Sequence, residues 1–358
     1  MFIIILGIVA TFGVVGATEQ EPVRSAAEVL RQLRSDVPRW LDSAGVTGFG
    51  MAMLEGRRIR WATGFGVRSS ATAVAVDGNT VFEAASLSKP VFAYAVLRLS
   101  ETGVLELDRP LCAYLSAPEV CRTSEGERIT ARMILSHTSG LVSEGSPGGP
   151  SLNELLRPTF EPGTRFRYSG DAFFLLQQVV MHQTGEPFAV LMDRLVLRPL
   201  GMSRSSFVLK ESMRINAAAG HERAGAPAQD LVAPIEGGWA CCSLLTTARD
   251  YARFLRAILR RQGLKDHSVR QILTPKIEIA PAIYWGVGFG IQHGAGGSAL
   301  WQWGHSSRPY RAYTLLYPQR GTGIVLLANS RNAMPLLHRI VRAIFGNPQP
   351  AIDWLHYK

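Results

Sequence analysis

Strand-like runs lie near both ends of this chain, and helical patterns fill the region between them. Near the amino end, the segment 48–66 has apolar stretches on either side of Glu55-Gly56, which predicts a β-hairpin. The runs near the carboxyl end are 284–292, 299–303, 311–317 and 322–328, followed by a helical pattern at about 333–345. This grouping predicts an α+β fold, an antiparallel sheet flanked by helices, with a mostly helical region inserted at about 110–234.

The segment 86–100, SLSKPVFAYAVLRLS, predicts a helix that is apolar on nearly every side. Such a helix is stable when it is buried all round, so it belongs at the centre of the molecule. Pro90 is compatible with it because this residue falls in the first turn. The chain has 358 residues, of which 47% are apolar, and can supply the surrounding core. This length also suits two domains, but strands at both ends favour one unit.

The first 17 residues, MFIIILGIVATFGVVGA, carry no charge and are predicted to be a signal peptide. Val15-Gly16-Ala17 supplies the small residues of a cleavage site before Thr18. The segment 18–358 is then expected to be one exported domain, periplasmic or secreted. Because no basic residue precedes the apolar run, the alternative is an uncleaved membrane anchor formed by residues 1–17.

The chain carries a net charge of +10, from 38 basic and 28 acidic residues. Only five of these basic residues are lysines, and the arginines are spread along the chain without a basic run interleaved with aromatics. This distribution argues against nucleic acid as a partner and is typical of a protein near an anionic surface such as a cell envelope. The sequence lacks the G-x-S-x-G, Gly-Lys and H-E-x-x-H motifs, and no metal or cofactor is expected.

The four cysteines contain no C-x-x-C pair and predict no zinc or thioredoxin-type site. Cys112 and Cys121 either close a short loop in an oxidising compartment or remain two thiols, and the sequence leaves both open. Cys241 and Cys242 are adjacent in the chain. Because a bridge between neighbours is strained, we interpret them as two packed small side chains.

The motif Ser86-Leu87-Ser88-Lys89 opens the apolar helix. Its spacing places Ser86 and Lys89 on one helical face, one turn apart. Free backbone N–H groups and positive potential at a helix N-terminus favour an oxyanion there. A lysine that desolvation keeps partly neutral can take the serine proton and activate the serine as a nucleophile. The alternative for this motif alone is a capping serine beside a solvated lysine.

Six segments follow one another in a fixed order along the chain. They are FEAASLSKPVFAYAVLRL (82–99), ILSHTSGL (134–141), EPGTRFRYSG (161–170), RPLGMSRSSF (198–207), GGWACCSLLTTARDYARFL (237–255) and WGHSS (303–307). As a set they resemble the serine β-lactamase and penicillin-binding-protein superfamily, in particular its class C and DD-peptidase-related branch. The resemblance covers most of residues 40–345 and implies a β-lactamase/transpeptidase-like fold.

The resemblance implies roles for the first two motifs. Ser86 matches the serine that becomes acylated, and Lys89 matches its partner in proton transfer. Tyr168, in Arg167-Tyr168-Ser169-Gly170, matches the tyrosine that acts with the lysine as base. Gly170 departs from the family pattern, because an asparagine that hydrogen-bonds substrate usually stands there. His137 matches a structural turn, and we expect its hydrogen bonds to be satisfied locally.

His305 matches the third motif, which the resemblance places on the edge strand of the sheet, facing the serine. The residues after it, Ser306, Ser307 and Arg308, are expected to bind substrate, and the backbone N–H groups of Ser86 and Arg308 to form the oxyanion hole. Ser307 replaces the usual glycine and narrows the cleft. If His305 supplies the cation, carboxylate binding weakens as the pH rises through the imidazole range, near ~6.5.

The expected function is that of a serine hydrolase working through an acyl-enzyme, without a cofactor. Its substrate is a small molecule or is derived from peptidoglycan, and a β-lactam, a D-Ala-D-Ala peptide and a small ester all remain open. The alternative is a catalytically impaired family member that binds peptidoglycan or an envelope partner. Trp301 and Trp303 alternate along a strand and are expected to pack there, with a place in the cleft wall as the alternative. The oligomeric state is left open.

Overall fold

A computed structural model describes residues 25–115, 119–142, 157–222 and 237–356. The predicted signal peptide, residues 1–17, lies outside these ranges. Within the ranges, no helix combines the length and the apolar character that a membrane crossing requires.

Twelve β-strands are formed within the described ranges. They are β1 (Gly48–Glu55), β2 (Arg58–Gly66), β3 (Phe82–Glu83), β4 (Leu141–Val142), β5 (Arg157–Pro158), β6 (Leu245–Thr246), β7 (Ile277–Ala280), β8 (Ile283–Trp285), β9 (Gly290–Gly294), β10 (Gly297–His305), β11 (Arg311–Tyr317) and β12 (Thr322–Ala328). Eight of them form one antiparallel sheet in the order β2-β1-β12-β11-β10-β9-β8-β7, while β3 pairs with β6 and β4 with β5.

The two ends of the sequence meet inside this sheet. β1 pairs with β12, so that Phe49 lies opposite Ala328. The predicted hairpin is confirmed as β1-β2, and its turn consists of Gly56 and Arg57 with φ of 58° and 60°. Two successive residues with positive φ give the turn the twist that suits adjacent antiparallel strands. The predicted α+β fold with an antiparallel sheet is confirmed by this topology.

Ten α-helices are formed within the same ranges. They are α1 (Ala26–Ala44), α2 (Ser88–Glu101), α3 (Ala131–Leu135), α4 (Asp171–Thr184), α5 (Phe188–Met192), α6 (Glu211–Arg214), α7 (Ala248–Leu259), α8 (Asp266–Leu273), α9 (Met334–Phe345) and α10 (Pro350–Trp354). Helices α1, α9 and α10 share one apolar core with one face of the sheet. Helices α2, α4 and α7 share a second core with the other face, and the sheet therefore separates two cores.

The predicted strand at 284–292 is two strands with a turn between them. β8 ends at Trp285 and β9 begins at Gly290, and the Gly286 N–H donates to the Phe289 carbonyl at 2.8 Å. Gly288 has a φ of 81°, and a Cβ at this position would collide with the Cβ of Ala93 in α2. The glycines thus end the first strand and let the turn approach α2 closely.

Helix α2 is central, as predicted. Eleven of its fourteen residues are buried, among them Lys89. Its neighbours include side chains of α4, α7 and the turn between β8 and β9. A helix enclosed in this way is a rigid support for residues at its amino end.

Candidate active site

Ser86 lies in a short 3₁₀ turn, Ala85–Leu87, that leads directly into α2. Ala85 has a φ of 48°, in the left-handed region that a residue with a Cβ adopts only at an energetic cost. Ser88 holds this conformation, since its hydroxyl donates to the Ala85 carbonyl at 2.6 Å and accepts from the Leu244 N–H at 2.9 Å. The backbone around Ser86 is therefore fixed before any substrate arrives.

The Lys89 side chain extends from the first turn of α2 toward Ser86. Its Nζ donates to Ser86 Oγ at 3.0 Å and to the Cys241 carbonyl at 2.9 Å. Lys89 is only 2% exposed, so the alternative of a capping serine beside a solvated lysine is wrong. The Ser-x-x-Lys motif is instead a buried, directly hydrogen-bonded pair.

Tyr168 lies next to this pair. Its ring centroid is 4.8 Å from Lys89 Nζ, and its ring stacks on that of His137 with centroids 4.1 Å apart. The Ser169 N–H donates to His137 Nδ1 at 3.1 Å. Burial, assisted by the charge of Lys89, holds the pKa of His137 well below its usual value, so that its imidazole is neutral and can accept this bond. His137 therefore supports the backbone of the second motif, in keeping with its predicted structural role. The expectation that its hydrogen bonds are satisfied locally is wrong for Nε2, which is buried without a partner among the described residues.

Two opposing effects set the charge of Lys89. Burial disfavours the ammonium form, but the Tyr168 hydroxyl and the Cys241 and Cys242 thiols together outweigh it and raise the pKa of Lys89 above its ordinary value. The expectation that desolvation keeps this lysine partly neutral is therefore wrong. A charged ammonium here stabilises the negative charge that develops on Ser86 Oγ or Tyr168 Oη as a proton leaves.

Gln302 is a residue of this cluster that the sequence analysis missed. It lies fully buried in β10, and its Nε2 donates to the Ser86 carbonyl at 3.0 Å and to the Tyr168 hydroxyl at 2.9 Å. Its Oε1 has no hydrogen-bond partner among the described residues. Gln302 thereby fixes the tyrosine relative to the nucleophile. The available signal was a lone amide in an otherwise apolar strand, where burial requires a partner.

The two tryptophans that flank Gln302 have different environments. Trp301 is fully buried in the core shared by α1, α9 and α10, as expected for strand packing. Trp303 is only partly buried, and its ring centroid lies 4.7 Å from that of Tyr168. Trp303 therefore belongs to the wall of the site. A place in the cleft wall was the alternative expected from the sequence for these two tryptophans.

The expectation that β10 is an edge strand is wrong for its first half. β9 pairs with β10 from Gly297 to Trp301, and beyond that point the described strands pair with β10 only through β11. The short open edge, residues 302–305, faces the turn that carries Ser86. A Cβ on Gly304 would lie 2.5 Å from the Ala84 carbonyl oxygen, so only glycine allows this approach.

A buried carboxylate anchors the turn that follows β10. Glu83 accepts a short hydrogen bond from the Ser306 hydroxyl, and its Oε2 lies 3.2 Å from Arg308 Nε. Burial raises the pKa of Glu83, an effect that Arg308 and Ser306 reduce without cancelling. The backbone N–H of Arg308 donates to Ser306 Oγ at 3.1 Å. In this structure the N–H expected in the oxyanion hole is thus engaged within the turn, because Ser306 supplies an acceptor there.

His305 lies exposed at the end of β10. Partial loss of solvent around this side chain, and then the charges of Arg311 and Arg331, lower the pKa of His305 below the ordinary value of 6.5. His305 is therefore predominantly neutral at pH 7, and the imidazolium expected from the sequence forms only in more acidic solution. Arg331 also donates to the Ser307 carbonyl at 2.7 Å and so fixes the residue that replaces the usual glycine.

Cys241 fills the space beside the second motif. A Cβ on Gly170 would lie 3.7 Å from Cys241 Cβ and 4.0 Å from its Sγ. Cys241 and Cys242 are free thiols, which confirms their interpretation as packed, unbridged side chains. The wall of the site next to Gly170 is therefore lined by sulfur, where the family pattern has an amide.

Comparison with known proteins adds three relatives. Among solved structures, a D-alanine carboxypeptidase AmpC from Burkholderia cenocepacia is similar with a TM-score of 0.75 and 19% identity, over 89% of this chain and 100% of that one. Esterase EstB of Burkholderia gladioli is 38% identical over 162 residues, 38% of this chain and 41% of that protein. The D-alanyl-D-alanine-carboxypeptidase/endopeptidase AmpH of Escherichia coli (strain K12) is 25% identical over 232 residues, 60% of this chain and 58% of that protein.

The matched segments span less than two thirds of the length of EstB and of AmpH. The family model called Beta-lactamase, in contrast, matches residues 27–345, most of this chain. That range includes Ser86, Lys89, Tyr168 and His305, the residues on which the resemblance rested. This chain therefore belongs to the beta-lactamase family.

Proposed function

We propose that this chain is a serine hydrolase that forms an acyl-enzyme on Ser86 and then releases the acyl group to water. The observation that carries the proposal is the buried Lys89 Nζ at 3.0 Å from Ser86 Oγ, with the Tyr168 ring beside it. The names of the relatives, an esterase and a D-alanyl-D-alanine carboxypeptidase, support the same reaction class. Both reactions transfer an acyl group from a leaving alcohol or amine.

The arrangement supports the following sequence of steps. Ser86 Oγ attacks the substrate carbonyl while its proton passes to Tyr168 in its deprotonated form, whose negative charge the Lys89 ammonium stabilises. The Ser86 N–H, at the start of the helical turn, supports the oxyanion. The pair then protonates the leaving group, and in the second half of the reaction it takes a proton from the water that attacks the acyl-enzyme. Gln302 holds Tyr168 in place throughout both halves.

We expect small esters to be better substrates than β-lactams or D-Ala-D-Ala peptides. The backbone N–H of Arg308, expected as the second oxyanion donor, is engaged with Ser306, and Gly170 offers no amide to a substrate. Each missing donor raises the barrier most for the substrates with poor leaving groups, because their transition states depend most on charge stabilisation. Activated esters depend least on these donors.

A direct comparison of rates tests the proposed function. The protein is given a p-nitrophenyl ester, a chromogenic cephalosporin and a D-Ala-D-Ala peptide in parallel, with Ser86→Ala as the blank. We expect the ester to be hydrolysed fastest and the blank to be inactive. Intact-mass analysis with each compound is run beside it. If no compound is turned over and none leaves a covalent adduct on the wild type, the chain acts as the non-catalytic envelope-binding module instead.

The pH dependence of KM tests the role of His305. For a substrate with a carboxylate next to the reacting carbonyl, we expect KM to rise as the imidazolium loses its proton, at a pH below the ordinary imidazole value near ~6.5, and to be flat at higher pH. The lowered pKa of His305 places the change on the acidic side. His305→Gln should remove the change while leaving KM for an uncharged ester unaltered. A KM that starts to rise only above neutrality would contradict this role.

We also propose that the protein is exported and that residues 1–17 are removed. The supporting observation is a disulfide between Cys112 and Cys121, one of the two arrangements that the sequence left open. Such bridges persist in oxidising compartments outside the cytosol. The amino-terminal sequence of the mature protein tests the proposal. A start at Thr18 is expected, and an intact Met1 in a membrane fraction would favour the anchored alternative.

A further inference from the structure

Two thiols lie beside the proposed base. Cys241 and Cys242 are in a tight turn in which the N–H groups of Cys242 and Ser243 both donate to the Trp239 carbonyl, at 3.3 and 3.2 Å. The turn brings the two Sγ atoms to 2.8 Å, shorter than an ordinary van der Waals contact. Cys241 is 6% exposed and Cys242 is only half-buried, so reagents reach the pair through Cys242.

The peptide group between these two cysteines is the one that holds Lys89. The Cys241 carbonyl oxygen accepts the hydrogen bond from Lys89 Nζ at 2.9 Å. A disulfide between Cys241 and Cys242 would close a small ring, and the carbonyl carbon of Cys241 would be a member of that ring. Ring closure would constrain the torsion angles on both sides of this carbon, and with them the direction in which the carbonyl points.

We propose that Cys241 and Cys242 form an oxidation site that takes a small-molecule disulfide as its oxidant, and that formation of their bridge stops the acylation of Ser86. The oxidation site stands independently of the hydrolase proposal. Its effect on acylation rests on the proposed function of the same site.

The chemistry is a thiol–disulfide exchange in two steps. A hydrogen bond from Cys242 and the charge of Lys89 lower the pKa of Cys241 against the effect of burial, while the same hydrogen bond and burial raise the pKa of Cys242. When the pair has lost one proton, the remaining proton therefore rests on Cys242. After this proton passes to Cys241, the Cys242 sulfur attacks one sulfur of the small disulfide and a small thiolate leaves. Cys241 then gives its proton to that thiolate and attacks the Cys242 sulfur, expelling the second thiolate, which takes a proton from water.

The overall balance is two protein thiols and one small disulfide giving one protein disulfide and two small thiols. The cysteine pair loses two electrons and two protons, and the small disulfide gains them. Strain in a bridge between neighbouring cysteines makes the bridge easily reduced. The modification is therefore reversible, unlike oxidation to a sulfinic acid.

The test treats the native protein, with its Cys112–Cys121 bridge intact, with oxidised glutathione. We expect the intact mass to fall by two hydrogen atoms with no glutathione retained, and iodoacetamide to label no thiol after denaturation. Acylation of Ser86 by an activated ester should slow by at least about tenfold, as expected when one hydrogen bond to a charged group is lost. Mild reduction should restore both the mass and the rate.

Cys242→Ser is the matched control, because it keeps the Cys241 carbonyl and removes the accessible sulfur. Its acylation rate, measured before and after the same treatment, should not change. Two thiols that remain alkylatable, or a stable glutathione adduct, would overturn the oxidation site. A bridged protein that is acylated at the full rate would overturn the effect on Lys89. The intact mass and the thiol count can be measured without any enzymatic activity. A protein that forms the bridge but is never acylated would contradict the proposed hydrolase function, and therefore also the effect of the bridge on acylation.

Discussion

Replacing Ser86 with alanine is expected to abolish hydrolysis, lowering kcat/KM by about 10⁴-fold or more. No other group of the cluster can take its place as the acylated atom, since Lys89 is held charged and bonded to the Cys241 carbonyl. The same substitution should leave the fold intact, because the Ser86 hydroxyl has no role in the core. Ester hydrolysis and intact-mass analysis with the ester measure the first part of this expectation, and the melting temperature measures the second.

Ser88→Ala is the matched control within the same motif. Among the described residues, the Ser88 hydroxyl bonds to two backbone groups, the Ala85 carbonyl and the Leu244 N–H. Its loss should reduce the free energy of unfolding by about 1–3 kcal/mol while acylation still occurs. Activity that survives in Ser86→Ala but is lost in Ser88→Ala would mean that the nucleophile has been assigned to the wrong serine.

Gln302→Leu is expected to lower kcat by about 30- to 100-fold with little change in KM for an uncharged ester. The substitution removes the hydrogen bond that fixes the Tyr168 hydroxyl and the one to the Ser86 carbonyl, and a loss of about 2–3 kcal/mol in the transition state corresponds to this factor. The melting temperature should shift by less than about 3 °C. The reason is that leucine also removes a buried Oε1 that has no partner among the described residues.

A second buried glutamine in the same sheet provides the comparison. Gln292 in β9 donates to Gln349 Oε1 at 2.7 Å and accepts from the Ala351 N–H at 3.0 Å, far from the tyrosine. Gln292→Leu should therefore destabilise the protein and leave kcat near the wild-type value at temperatures where it stays folded. Equal losses of kcat in both variants would show that Gln302 acts on stability and has no specific role in positioning Tyr168.

The sequence was sufficient to predict an antiparallel sheet flanked by helices and to identify the motifs that contain Ser86 and Tyr168. Periodicity identified the hairpin at β1-β2 and the buried helix α2, because both depend on patterns within a few neighbouring residues. Ser86 and Lys89 could be paired for the same reason, being one helical turn apart. Tyr168 required the resemblance to a family, since nothing local distinguishes a catalytic tyrosine from one that packs.

The charges of the site could not be read from the sequence. The pKa of Lys89 depends on Tyr168 and on the cysteines at 241 and 242, which lie more than seventy residues away in the sequence. Besides desolvation, the pKa of His305 depends on Arg311 and on Arg331, which follows β12. Gln302 was missed because its importance lies in two contacts between separate elements. In the sequence, a side chain that connects separate elements is visible only as a polar residue among apolar neighbours on its own strand or helix.

The pairing of β1 with β12 has a consequence for how the protein is made. The hairpin β1-β2 can form soon after it leaves the ribosome, but its partner strand β12 is translated only after the whole segment between them. Until then β1 presents an unpaired edge, which is a template for association with other chains. The nascent chain must therefore be kept from aggregating until β12 has emerged. A chain truncated before β12 would lack the strand that joins β1 to β11 in the sheet.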